Sequence, residues 1–397
     1  MQCGSVALAR HAPFSQIWTM TKNLTDLSNW RNPPFNRWSF THVDALIATQ
    51  TIPHGHPCPL DQGSPLDLAS VKLASGTVKD FLEQTATDGF LLLHRGKIIA
   101  ETLPNMTAAS RHILFSVSKS VTGTLAGILV AEGLLDPDAP VTHYLPEVKA
   151  SAYGDCTLRH VFDMTVDLDF EENYLDLKGD FARYRVATGW NPPNPELGNG
   201  GLHDFLATVK PAQSRHGEKF LYVSPNSDLL GWVLERASGQ GFAKLLSEKL
   251  WQPMGAEADA CVTVDAKGAA RSAGGINTTL RDLARLGELM RNGGAASGRQ
   301  IVTKAWVKDI RENGSREAWG KGSMVNLFPK GSYRAQWYKA NDADGSFYAI
   351  GIHGQWIYVN PAAEVTAVKF SSQPDPVNDA MDGETVATFA ALTRAVR

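Results

Sequence analysis

The chain has 397 residues, 43% of them hydrophobic and 20% charged, enough for a large core in two domains or in one domain carrying an insertion. With 38 basic and 41 acidic residues the net charge is -3, which removes the electrostatic case for a nucleic-acid partner. No apolar run approaches the roughly 20 residues of a bilayer span, and the start lacks the apolar region of a secretory signal, so a cytoplasmic protein with no membrane partner is expected.

Residues 1–65 carry Pro33-Pro34, Pro53, Pro57, Pro59 and Pro65 with little periodicity, and read as an extended arm on the surface of the main domain. Leu68, Val71, Leu73, Val78, Phe81 and Leu82 recur at helical spacing and predict a helix over 66–86. Apolar runs on either side of Arg95-Gly96 predict a strand, a tight turn and a strand. Residues 117–132 predict a buried helix whose Gly, Ala and Thr allow close packing, ended by Gly133. A short helix follows over 158–164. The stretch 165–215, with Trp190, Pro192, Pro193, Pro195 and several glycines, predicts long loops of the kind that wall or cover a site. Helices are predicted over 228–238, 243–250, 279–290 with Thr278 or Thr279 as cap, and 303–310 with Thr303 as cap. Strands over 348–353, 355–359 and 365–370 and a helix near 380–396 close the chain. Strands at both ends with helices between imply an α/β domain of residues 1–110 and 270–397, a mainly helical insertion of residues 111–269, and an active site at their junction.

Cys3, Cys58, Cys156 and Cys261 lie far apart with no Cys-x-x-Cys pair, and the 11 histidines form no His-Glu-x-x-His, so neither a metal nor a cofactor is expected. Ser116-Val-Ser-Lys119 is the only Ser-x-x-Lys in the chain. At the first turn of a helix it puts both side chains on one face. A serine hydroxyl needs an adjacent base to act as a nucleophile. Lysine supplies one when burial lowers its pKa, and the flanking Ile113, Leu114, Phe115 and Val117 suit a buried site. Taken alone the motif fits equally a serine cap beside a solvated lysine. Tyr222-Val-Ser-Pro-Asn226 offers a proton-relaying tyrosine and a carboxamide donor for a substrate carbonyl; taken alone it fits better a buried tyrosine and a helix cap. Gly351-Ile-His-Gly-Gln355 lies between two apolar strands and offers backbone N–H groups to an oxyanion, or a structural bulge with His353.

In this order the three motifs resemble the serine β-lactamase and penicillin-recognising hydrolase superfamily. Within it the chain is similar to the 6-aminohexanoate-dimer hydrolases from about Asn29 to Pro376, through Asn36-Arg-Trp-Ser-Phe, Glu172-Asn-Tyr174, Gly274-Gly275 and Arg281-Asp-Leu-Ala-Arg as well. The resemblance implies a class C-like antiparallel sheet flanked by helices. It implies Ser116 as nucleophile, Lys119 as base and Tyr222 as its proton-transfer partner. It implies that Tyr174 sits on a mobile loop and bonds the scissile nitrogen, that the N–H groups of Ser116 and Ile352 form the oxyanion hole, and that Trp190 walls the pocket. Three departures stand out. The Lys-Thr-Gly element of true β-lactamases is replaced by His353-Gly354-Gln355. Arg185 occupies the place of an aspartate that receives a substrate ammonium, and Ala273 the place of its polar helper. The expected activity is an amidase on 6-aminohexanoate-type oligomers or a carboxylesterase on short esters. A non-catalytic sensor on the same scaffold and, ranked lower, a D-amino-acid peptidase are the other readings; the oligomeric state stays open, a homodimer included.

Overall fold

Arg95 and Gly96 both take positive φ, 54° and 76°, the geometry of a two-residue hairpin turn whose twist matches the strands it joins. In the computed structural model, which describes Lys22 and residues 24–397, this turn joins β1 (Thr87–His94) to β2 (Lys97–Thr102), as the sequence leads one to expect. The remaining strands of the sheet come from the far end of the chain: β3 (Ser332–Arg334), β4 (Trp337–Lys339), β5 (Phe347–Gly351), β6 (Gln355–Asn360) and β7 (Val365–Ser371). Their order is β3-β4-β5-β6-β7-β1-β2, antiparallel throughout. Both chain ends therefore build one sheet. The three-residue β3 and β4 escaped the sequence reading because they are too short to show a period of two.

Helices cover both faces of this sheet. The long ones are α1 (Val117–Ala131), α2 (Ser224–Ser238), α3 (Leu280–Arg291) and α4 (Asp379–Val396). Strand residues alternate between the two layers. Leu91, Leu93, Ile357 and Val359 share a core with Leu283 and Leu286 of α3, whereas Phe90, Leu92, Trp356 and Tyr358 pack with Phe389 of α4. The first core also holds Val121 of α1 and Leu234 of α2, so apolar packing is continuous from the sheet into the helical region. Among the described residues no helix is long and apolar enough to cross a membrane.

A second sheet of four short strands, Thr49–Ile52, Ala260–Thr263, Ile276–Thr278 and His112–Ile113 in that order, leads the chain up to Ser116. It corrects the expected surface arm. Residues 1–21 of that arm, Cys3 among them, and Asn23 lie outside the described residues. The rest contributes a strand paired with Ala260–Thr263 and fully buries Trp30 and Phe40. The prolines hid this, since they break periodicity without preventing burial. The expected helix over 66–86 is also shorter. It runs only over Val78–Gln84, started by a capping box of Thr77 and Asp80, and is preceded by a small hairpin of Lys72–Leu73 with Gly76–Thr77.

The small residues of α1 have the packing role their type suggests. A Cβ on Gly123 would lie 2.3 Å from the Ala335 carbonyl oxygen, and one on Gly127 would lie 2.2 Å from the Trp306 ring. Gly127→Ala should therefore lose about 1–3 kcal/mol of stability by overpacking. A urea melt with an unchanged midpoint would contradict this packing.

Candidate active site

Ser116 sits at the N-terminus of α1, and the residue before it is strained. Phe115 adopts φ +44°, a left-handed conformation that non-glycine residues rarely hold, at a cost of order 1–3 kcal/mol unless the surroundings enforce it. Here an aromatic box enforces it. The Phe115 ring stacks on Trp30 and meets Phe40 and Trp190 edge-on at centroid distances of 4.9 and 5.9 Å. The arm that looked superficial in the sequence thus fixes the turn that presents Ser116.

One helical turn on, Lys119 is 1% exposed. Its Nζ donates to Ser116 Oγ at 2.8 Å, to Ser224 Oγ at 3.0 Å and to the Ala273 carbonyl at 3.1 Å. Burial is the main reason its pKa falls to about 8, with Arg271 adding to the drop and Glu172 and Asp228 opposing it. The amine also lies 4.9 Å from the centre of the Tyr222 ring. The Tyr222 hydroxyl interacts with the hydroxyls of Ser116 and Tyr338, both of which favour its ionised form, but burial and then Glu172 hold its pKa above the usual value. Tyr222 is therefore a neutral hydroxyl that can pass on a proton.

The backbone supplies two donors beside the hydroxyl. Gly351 ends β5 against the Ser116 loop: a Cβ there would lie 2.7 Å from the Leu114 carbonyl oxygen and 3.2 Å from Ser116 N. Among the described residues, neither Ser116 N–H nor Ile352 N–H donates to a protein acceptor. Free N–H groups beside a nucleophile are what an oxyanion hole needs.

Two cavities meet at Ser116. One, the smaller, is bounded by Phe115, Phe181, Trp190 and the guanidinium side chains of Arg31, Arg185 and Arg271. The other, larger, runs past Tyr222 and Tyr338 to Met324, Val377 and Asp382. Tyr174 borders both, and its hydroxyl donates to Glu172 Oε1 at 2.7 Å. Trp190 is held from behind by its Nε1, which donates to Thr263 Oγ1 at 3.0 Å. Arg185 stacks 4.3 Å from the centre of the Phe181 ring and donates to the Tyr174 carbonyl at 2.6 Å. The structure thus brings Ser116, Lys119, Tyr222, Tyr174, Ile352, Trp190 and Arg185 together.

Two expected site residues fall elsewhere. α2 begins at Ser224, not at Asp228, because Pro225 is well suited to a first helical turn. Asn226 is thereby drawn inside the helix. It is fully buried, with Oδ1 accepting from Tyr153 Oη at 3.1 Å and Nδ2 directed at Met164 Sδ. Asn226 therefore does not offer its carboxamide to a substrate carbonyl, and Ser224 is the residue of this motif that stands beside Lys119. His353 borders neither of the two cavities that reach Ser116. Its Nδ1 bonds the Gln373 carbonyl at 2.7 Å and its ring packs on Phe40 and Phe115. Burial pushes its pKa down to about 4, so it stays neutral and buttresses the aromatic box.

Several residues at the site had no role in the sequence reading. Glu172 accepts from the Ser224 hydroxyl at 2.8 Å and from the Ser224 backbone N–H, besides Tyr174, and so ties the loop to the start of α2. Asp228, also on α2, pairs with Arg271, accepts from Tyr184 Oη, and accepts from Ala273 N at 2.7 Å. It thereby positions the carbonyl that holds Lys119. A capping-type spacing could have flagged neither, since Ser224 for Glu172, and Arg271, Tyr184 and Ala273 for Asp228, lie far off in the sequence.

A helix that opens on Ser-x-x-Lys and packs on an antiparallel sheet built from both chain ends is the architecture of the serine hydrolases with a β-lactamase fold. The chain belongs to the Beta-lactamase family, whose sequence profile matches residues 75–391. It is 36% identical over 352 residues to the 6-aminohexanoate-dimer hydrolase of Paenarthrobacter ureafaciens, covering 88% of each chain. Among solved structures it superposes on a Bacillus anthracis protein provisionally assigned as a 6-aminohexanoate-dimer hydrolase with a TM-score of 0.86 at 24% identity, covering 94% of this chain and 98% of that one. A family VIII carboxylesterase aligns with a TM-score of 0.59 at 16% identity, over 83% and 99% of the two chains. The chain is thus a hydrolase of the β-lactamase superfamily.

Proposed function

We propose that the chain cleaves amide or ester bonds through an acyl-enzyme on Ser116, and the observation that carries this is the 2.8 Å contact between the Ser116 hydroxyl and the buried Lys119 amine. Neutral Lys119 accepts the Ser116 proton as Oγ bonds to the substrate carbonyl carbon. The N–H groups of Ser116 and Ile352 hold the oxyanion. On collapse the C–N or C–O bond breaks, and the proton passes from Lys119, directly or through Tyr222, to the departing nitrogen or oxygen. Water then takes the place of the leaving group, loses its proton to the same base, and releases the acid.

The pH dependence has a definite sign. A lysine works as a base only when uncharged. With its pKa lowered to about 8, roughly a tenth of Lys119 is neutral at pH 7. The value of kcat/KM should rise about tenfold per pH unit below 8 and level off above it. A profile flat from pH 6 to 8 would contradict the assignment of Lys119.

The name of the Paenarthrobacter relative supports a linear amide of the 6-aminohexanoate type as substrate. A short ester is the second reading, favoured by Arg185, which stands in the cavity at Ser116 and would repel a substrate ammonium. Comparing turnover of the linear dimer with that of 4-nitrophenyl butyrate separates them. A protein that keeps a stable adduct with either and releases no acid would be the sensor instead. A small-molecule substrate and a cytoplasmic location complete the proposal.

A further inference from the structure

The three arginines of the smaller cavity are not equally matched. Arg271 pairs with Asp228. Arg31 reaches only neutral acceptors, the Trp190 carbonyl at 3.2 Å and Asn191 Oδ1 at 2.5 Å. Arg185 reaches only the Tyr174 carbonyl. Among the described residues neither has a carboxylate within ion-pair distance. Glu172 is the one carboxylate on this wall, and its oxygens are already taken by Ser224 and Tyr174. Burial, followed by repulsion from Arg185 and Arg271, pulls the pKa of Arg31 down to about 9. The cavity therefore holds more positive charge than its own walls balance, around an otherwise aromatic lining.

Which half of a substrate enters it follows from the proton donor. Tyr222 borders the larger cavity and not the smaller one. The leaving group must depart where Lys119 and Tyr222 can protonate it, so the acyl chain lies on the arginine side. We infer that this cavity binds an acyl chain ending in a carboxylate, so that the preferred substrates are half-esters or half-amides of short aliphatic dicarboxylic acids. The carboxylate meets Arg31 and Arg185, and the methylenes lie against Phe115, Phe181 and Trp190. Hydrolysis adds one water and yields the free diacid with an alcohol or amine. This inference rests on the acyl-enzyme reading above and names the substrate class of that same site.

The test compares kcat/KM for three 4-nitrophenyl esters of matched chain length: the half-ester of glutaric acid, the ester of pentanoic acid and the ester of 5-aminopentanoic acid. A carboxylate bonded to a partly buried guanidinium should favour the half-ester over the neutral ester by about ten- to hundredfold. The preference should shrink with added salt, and the aminoacyl ester should be poorest. Arg31→Gln and Arg185→Gln should each narrow the ratio of half-ester to neutral ester, a readout that a general loss of folded protein does not change. Equal turnover of the half-ester and the neutral ester, or preference for the aminoacyl ester, would overturn the anionic acyl site while leaving the hydrolase in place. Absence of turnover for all three would overturn both.

Discussion

Replacing Ser116 by alanine should lower kcat for a 4-nitrophenyl ester by about 10⁴-fold or more, the scale seen when an acyl-transfer nucleophile is deleted. The change removes one partly buried oxygen. It leaves the aromatic box around Phe115 and the bonds from Lys119 to Ser224 and Ala273 in place. Thermal stability should therefore stay near that of the parent while turnover disappears. Lys119→Ala should fall to a similar floor, because residues that act as one unit are not additive, and the double variant should be little worse than either alone. Substantial turnover by Ser116→Ala would end the assignment, whatever the lysine variant did.

The second large effect is on stability. Asp228→Ala should cost about 3–5 kcal/mol, because it removes one partner of a buried pair and strands the other. Arg271 is 5% exposed and stacks on Tyr184 and Trp190, so it cannot swing out to water to escape the loss. Burial works against its charge, and Asp228, with Tyr184 and Glu172, more than compensates. The same substitution frees Ala273 N, and with it the carbonyl that holds Lys119, so activity should fall even in protein that remains folded. A chemical denaturation curve measures the first effect. Asp228→Ala combined with Arg271→Met should recover much of the stability, since no isolated charge is then left buried. A single variant less than about 1 kcal/mol below the parent would show that the pair is solvated after all.

How far the sequence reveals the site depends on the range of each interaction. Ser116 and Lys119 were legible because three residues along one helix set their geometry locally. The hairpin about Arg95-Gly96 and the caps Thr279 and Thr303 were legible for the same reason. Ser224 was not legible as the neighbour of Lys119 because α2 starts there, four residues before the start that the sequence suggests, and this draws Asn226 inside the helix. Glu172, Asp228, Arg31 and Arg271 were invisible as site residues: each gains its meaning from a partner or neighbour brought near only by the fold. Arg185 came into view through a resemblance, and the fold adds two more arginines to the same wall. The N-terminal region was misread where prolines masked aromatic residues that are buried against Phe115, directly behind Ser116.

The central claim concerns one hydroxyl made nucleophilic by one dry amine, and covalent labelling reads it directly. After brief exposure to a fluorophosphonate, intact-mass measurement should show a single adduct, and peptide mapping should place it on Ser116. Labelling should be much slower in Lys119→Ala and absent in Ser116→Ala. An adduct on another residue, or one that forms as readily without Ser116, would contradict the account.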